Sequence, residues 1–348
     1  MKRIEKLKFQ TKFLCLLLLP VLLLAEVPKL PGDMHAWASA SVDMVFKEDF
    51  RNAEEEAKKI IRKYPDHPAG YFFQAAVLDA WMLRHQSRRR EREFFRLCDQ
   101  AIERAEKILS NDRNDEWARF FLGGAEGYKG TYEGRYERWV TAFRHGWKGV
   151  SIFQNMASSG SKIPDIQFGI GTYDYWRSAL MKMLWWMPGV SDNREVGIAK
   201  LKDVIENGIY CRTAAAMVLI DIYIYECRFA DALELANDMI RKYPRAQIFR
   251  WGQAAAFQGL EMHAEAIKAY QFILSRNEID PNSNHYNSVV ARVAIAKSMV
   301  ASGRHSEALE QIAAVNRYEL DKDIRKRLDR NFSEANSLRR QAESRSRN

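Results

Sequence analysis

Apolar residues recur at three- and four-residue spacing through almost the whole chain, and Pro, Gly or Asn/Asp interrupts them at intervals. That period is the signature of helices with one buried stripe. No run of alternating polar and apolar residues is long enough for a sheet, so the pattern predicts an all-α protein. Helices are predicted in pairs. Asp33–Phe46 goes with Phe50–Tyr64, Pro68–Arg84 with Glu93–Leu109, and Asn114–Tyr128 with about Arg138–Ala157. The fourth pair starts at Pro164, runs through an aromatic stretch to Trp186 and resumes over Asn193–Asn207. Three more follow: Arg212–Cys227 with Ala230–Lys242, Ala246–Glu261 with Ala264–Arg276, and Asn287–Ser302 with Ser306–Val315. The short link Ser302-Gly303-Arg304 makes the last of these an antiparallel hairpin. Asp321–Ser344 reads as a final charged helix, the polar end that a stacked array needs.

Two stretches repeat one another. Phe50–Pro65 (FRNAEEEAKKIIRKYP) and Phe229–Pro244 (FADALELANDMIRKYP) are identical at nine of sixteen positions without a gap. Each carries alanines four apart, Ala53 and Ala57 in the first, Ala232 and Ala236 in the second. Small residues at that spacing share one helical face and let a neighbouring helix approach closely. Pro65 and Pro244 stop the helix. Counting from Ala232, equivalent small residues fall at Ala266 after 34 residues, at Ala308 after 42 with Asn277–His285 inserted, and backward at Gly197 after 35.

These features resemble the tetratricopeptide repeat, a 34-residue helix–turn–helix unit with small residues at its helix crossing and Pro at its end. The resemblance implies an α-solenoid of about seven antiparallel pairs with a C-terminal capping helix. Two stretches depart from the plain repeat: Phe120–Arg135 (FFLGGAEGYKGTYEGR) and Phe168–Gly189 (FGIGTYDYWRSALMKMLWWMPG). They resemble a bacterial subgroup of exported tetratricopeptide-like proteins and, more faintly, eukaryotic mitochondrial outer-membrane relatives. The resemblance implies an interaction scaffold and carries over no reaction.

The N-terminus adds an address. Met1–Lys12 is basic, Phe13–Ala25 is unbroken apolar sequence, and a small residue, Ala25, precedes Glu26. That is the layout of a secretory signal peptide, and thirteen apolar residues are short for the ~20 that span a bilayer. The expected division is a signal peptide over 1–25, the repeat domain over 26–320, and a charged capping helix and tail over 321–348. The expected location is the periplasm or another exported compartment, with an uncleaved inner-membrane anchor as the alternative because Leu23 is a poor cleavage residue. Losing residues 1–25 removes five basic residues and one acidic residue, taking the net charge from +9 to +5. The basic clusters Arg84–Arg96 and Lys322–Arg347 are interleaved with acids and read as solvated helix faces, so nucleic acid is not an expected partner. Cys98, Cys211 and Cys227 form no disulfide framework.

No catalytic signature is present. The seven histidines include no metal-binding i, i+4 pair with a carboxylate, and there is no Cys-x-x-Cys, Gly-x-Ser-x-Gly or P-loop. Gly169-x-Gly171-x-x-Asp174 lacks the preceding strand and third glycine of a dinucleotide loop, and marks a close helix crossing instead. No enzyme activity and no cofactor are therefore expected.

Aromatic residues concentrate in the middle of the chain, from Tyr128 to Trp186. In a stacked array the first helix of each pair lines the concave surface, where extended peptides bind. Tyr173, Asp174, Trp176 and Arg177 sit close together on one such helix and cannot all face the core. Tyr173, Trp176, Arg177, Asp221, Tyr225 and Trp251 are thus the candidate partner-binding residues, since Tyr, Trp and Arg concentrate binding energy. The expectation is a scaffold holding a protein or peptide in its groove. The alternative is a periplasmic receptor for a lipid or small apolar ligand in a central aromatic pocket. The apolar run Ala179–Val190 reads as helix packing, with a membrane-facing wedge as its second reading.

Overall fold

A computed structural model describes residues 29–181 and 192–345. Among them are sixteen helices and no strand: α1 (Asp33–Phe46), α2 (Phe50–Lys63), α3 (Pro68–His85), α4 (Glu91–Asn111), α5 (Glu116–Arg135), α6 (Trp139–Ser158), α7 (Ile166–Met181) and α8 (Arg194–Asn207), then α9 (Arg212–Tyr225), α10 (Phe229–Lys242), α11 (Gln247–Gly259), α12 (His263–Glu278), α13 (Tyr286–Ala301), α14 (His305–Val315), α15 (Lys322–Arg327) and α16 (Asp329–Arg345). Each helix packs chiefly on the next, which is the serial order of a solenoid.

The repeat logic is visible in the packing. Ala53, Ala57, Ala232, Ala236, Ala266 and Ala308 are all completely buried, and a Cβ on Gly197 would lie 2.6 Å from the carbonyl of Gly171 on α7. Five hairpins share one turn. Glu48, Glu137, Cys227, Glu261 and Gly303 each sit alone at positive φ between two helices. In each, the next residue's amide donates to a carbonyl five residues back, as Asp49 does to Met44 at 2.9 Å and Arg304 to Met299 at 2.8 Å. This is the left-handed close of a helix, usually given to glycine. The same close also ends α3 at Gln86 and α6 at Gly160, where longer links follow; of the five three-residue turns only the fifth uses glycine.

Two lengths differ from expectation. Helix α5 continues to Arg135 rather than stopping near Tyr128, because Gly130 and Gly134 face α6. A Cβ on Gly130 would come within 2.7 Å of the Gly146 backbone. The charged C-terminal segment is two helices broken at the buried Leu328, and α16 packs against α13 and α14. The expected continuation of pair four to Trp186, and most of Ala179–Val190, lies outside the described residues.

The largest departure is that the array closes on itself. At the α1–α2 turn, the Glu48 carboxylate accepts the Gln247 amide at 2.6 Å, at the start of α11, and meets Arg276 of α12 at 3.5 Å. Phe46 stacks on Phe249 with ring centroids 5.9 Å apart, and the Tyr243 hydroxyl reaches Asp43 at 3.2 Å. The end of α3 is held from the far side of the chain. Asn287 donates to the Arg84 carbonyl at 2.9 Å, while Asn284 and Arg327 donate to that of Gln86 at 3.1 and 2.8 Å. These are end carbonyls of a helix, which have no partner within it. Arg84 itself is nearly buried, bridging Glu48 at 3.3 Å, Asn277 at 2.9 Å and Asp280 at 3.3 Å. The Arg84–Arg96 stretch is therefore not simply a solvated face: its first residue is the centre of an ionic seam.

Candidate functional site

Helices α7 and α9 are the first members of adjacent pairs, and their placement begins at a buried carboxylate. Asp165, just before α7, accepts the amides of Ile209, Tyr210 and Cys211 at 2.7, 2.8 and 2.6 Å. Three donors at a helix start are thereby satisfied by one side chain from the preceding pair. At the other end, the buried Tyr175 donates its hydroxyl to Glu226 at 2.7 Å, and Arg194 donates to the same carboxylate at 2.7 Å. The two helices are thus tied together at two levels. Beside the second clamp, Trp176 and Tyr225 pack edge to face with centroids 5.4 Å apart, and Tyr225 is 57% exposed.

Asp221 lies one turn before Tyr225 on the same face of α9. Its side chain has solvent access, but surrounding protein raises its carboxyl to about 6 by desolvation. Trp176, Tyr225 and Asp221 form one patch. Arg177 is exposed beside it. Tyr173 turns the other way and meets Trp147 of α6 at 6.0 Å. Trp251 is separate, half-buried against Tyr270 at 5.8 Å, and lines a cavity of about 100 Å³ at the seam with Phe46, Phe50, Met217 and Ile248. Trp251 alone of the six candidates lines that cavity. The central aromatics Tyr132 and Tyr175 are fully buried core residues.

Among the described residues no group of three His, Cys, Asp or Glu side chains could hold a metal. Cys98, Cys211 and Cys227 are free thiols. Gly169 and Gly171 lie within α7, where added Cβ atoms would strike the Phe153 ring at 2.6 Å and the Gly197 carbonyl at 2.9 Å, so they serve helix crossing.

Serial antiparallel pairs, small residues at each crossing and one turn used five times are together decisive. The fold is tetratricopeptide-like. No protein-family model matches the chain, and no curated protein matches its sequence. Solved structures of similar fold include a tetratricopeptide repeat protein from Parabacteroides merdae, at 15% identity over 89% of this chain and 99% of that one, with a TM-score of 0.38. The TPR2AB domain of yeast Sti1 in its pHSP90 complex is similar at 16% identity, over 90% and 99% of the two chains, with a TM-score of 0.30. The human IFIT1 dimer with m7Gppp-AAAA is similar at 10% identity, over 92% and 83%, with a TM-score of 0.42.

Two groups in this tetratricopeptide-like chain are not legible in its sequence. Glu48 and Arg84 look like ordinary turn and helix-end charges, and no sequence signal sets them apart. Trp139 and Trp147 belong to the aromatic middle of the sequence, and nothing there indicates that they, or Phe143 between them, face outward.

Proposed function

We propose that the protein is a non-catalytic scaffold that binds a protein or peptide partner across α7 and α9. The observation that carries this reading is the clamped aromatic pair: Trp176 against the exposed Tyr225, with Asp221 and Arg177 flanking it. Rigidly held aromatic rings beside one acid and one base suit an extended peptide, whose side chains meet the rings while its backbone or charges meet the polar groups. Pull-down with the mature protein tests it. Tyr225→Ala and Arg177→Ala should each lower partner recovery several-fold at unchanged melting temperature, and full recovery with both would refute this surface.

Receptor for a small apolar ligand is the second reading, and the seam cavity beside Trp251 is what favours it. At about 100 Å³ the cavity is well below the roughly 300–1,000 Å³ of drug-sized sites. Native mass spectrometry separates the two readings, since a co-purifying small molecule belongs only to the second. Export directed by residues 1–25 is part of the same proposal. N-terminal sequencing that finds Met1 retained would replace it with the anchored form.

A further inference from the structure

Helix α6 buries Val150, Phe153 and Met156 in its second half but turns the large apolar residues of its first half away from the core. Its inner side carries the small residues Ala142, Gly146 and Gly149, and they lie against the glycines of α5. A Cβ on Gly149 would fall 2.6 Å from the Gly123 carbonyl and 2.9 Å from the Gly127 amide; one on Gly130 would fall 2.7 Å from the Gly146 amide. The two backbones are in contact, with no room between them for a large side chain. The large apolar residues of the first turns consequently point out. Trp139 is 64% exposed, Val140 87%, Phe143 67% and Trp147 49%. Positions i, i+1, i+4 and i+8 make one continuous face, and Phe143 stacks on Trp147 at 6.4 Å.

The charges on α6 itself are of one sign. Helix α6 contains no Asp or Glu. Arg144 is exposed beside Phe143, Lys148 is half-exposed beside Trp147, and Arg177 is exposed on α7, one turn from the Tyr173 that meets Trp147. Lys148 and His145 also reach inward to Glu126 of α5, at 2.8 and 2.5 Å. Glu137, in the turn before Trp139, is the nearby exposed acid. We propose that this outward face of α6 rests on an anionic lipid surface, its Trp and Phe rings entering the headgroup region and its basic rim meeting lipid phosphates. Exposed Trp and Phe above a cationic rim is the composition of helices that lie in a bilayer interface. A second copy is the poorer occupant, because a two-fold contact sets the same patch against itself and α6 supplies no acid to answer Arg144. Among the described residues no helix is long and apolar enough to cross a membrane.

Flotation of the full-length chain with vesicles tests this, comparing phosphatidylcholine alone with a mixture containing phosphatidylglycerol. The wild type should float with the anionic vesicles and far less with the neutral ones, and added salt should weaken it. The double substitution Phe143→Glu and Trp147→Glu removes two exposed rings and adds two repelling charges, so binding should fall at least about tenfold. Arg144→Glu should lower anionic binding while changing neutral binding little. Both variants alter exposed groups, and melting temperatures equal to wild type establish that they fold. Binding that survives the double substitution belongs to another part of the chain, such as Phe13–Ala25, and overturns the proposal. Equal binding to both vesicle types overturns it too, as does a soluble dimer or acidic-protein complex that Phe143→Glu dissolves while vesicle binding stays absent.

Discussion

The seam can be tested by one change made in two identical turns. Glu48 and Glu261 both hold a left-handed residue between paired helices, at φ 59° and 60°. A non-glycine residue there costs about 1–2 kcal/mol, and glycine removes that cost while adding unfolded-state entropy, for a net gain of up to ~1 kcal/mol. Glu261 is exposed, so Glu261→Gly should realise that gain. Glu48→Gly obtains the same gain but removes the carboxylate that caps the Gln247 amide at 2.6 Å and sits between Arg84 and Arg276 at 3.3 and 3.5 Å. Its side chain retains 12% of its surface and that of Arg84 10%, so the pair is nearly desolvated. Removing one partner of a buried ion pair costs about 3–5 kcal/mol. Asp280 still balances Arg84, at 3.3 Å, and lowers the figure. The net expectation is a loss of about 2–3 kcal/mol for Glu48→Gly against a small gain for Glu261→Gly. At ~2–4 °C per kcal/mol, calorimetry should show a fall of about 4–12 °C in one and a rise of up to about 4 °C in the other. Small-angle scattering should add an increased radius of gyration for Glu48→Gly alone, as the first pairs leave the last. Shifts of the same sign and size in both variants would refute the claim that Glu48 holds the ring shut.

The α5–α6 crossing gives a second pair of opposite signs. Gly130→Ala meets Gly146 backbone at 2.7 Å and should cost about 1–3 kcal/mol, whereas Gly127→Ala has nothing within 4 Å and should gain ~0.5–1 kcal/mol; urea melts measure both. Asp221 supplies a pH test. Its folded carboxyl titrates near 6 against an ordinary value of 3.8, so ionising it opposes folding as pH rises through that window. Asp221→Asn should therefore raise the melting temperature at neutral pH and leave it unchanged near pH 3, and equal shifts at both would show that the carboxyl is not perturbed.

Much of the helical order was legible because it is local. Alternation between apolar stripe and charge, the alanines four apart at Ala53/Ala57 and Ala232/Ala236, and the stops at Pro65 and Pro244 each act within one or two turns, and each is written in consecutive residues. What was not legible is carried by side chains far apart in sequence whose identity is ordinary. Glu48 and Arg84 resemble surface charges until the curvature of the array brings α11, α12 and the Asn284–Asn287 stretch against them. Trp139, Phe143 and Trp147 resemble core until the glycines of α5 and α6 bring the two backbones together and leave the rings outside. The residues themselves thus determined the kind of unit and its repetition. Tertiary packing alone decided that the units close into a ring and which aromatic face stays bare, since both follow from the summed angles between pairs, and no stretch of sequence states an angle.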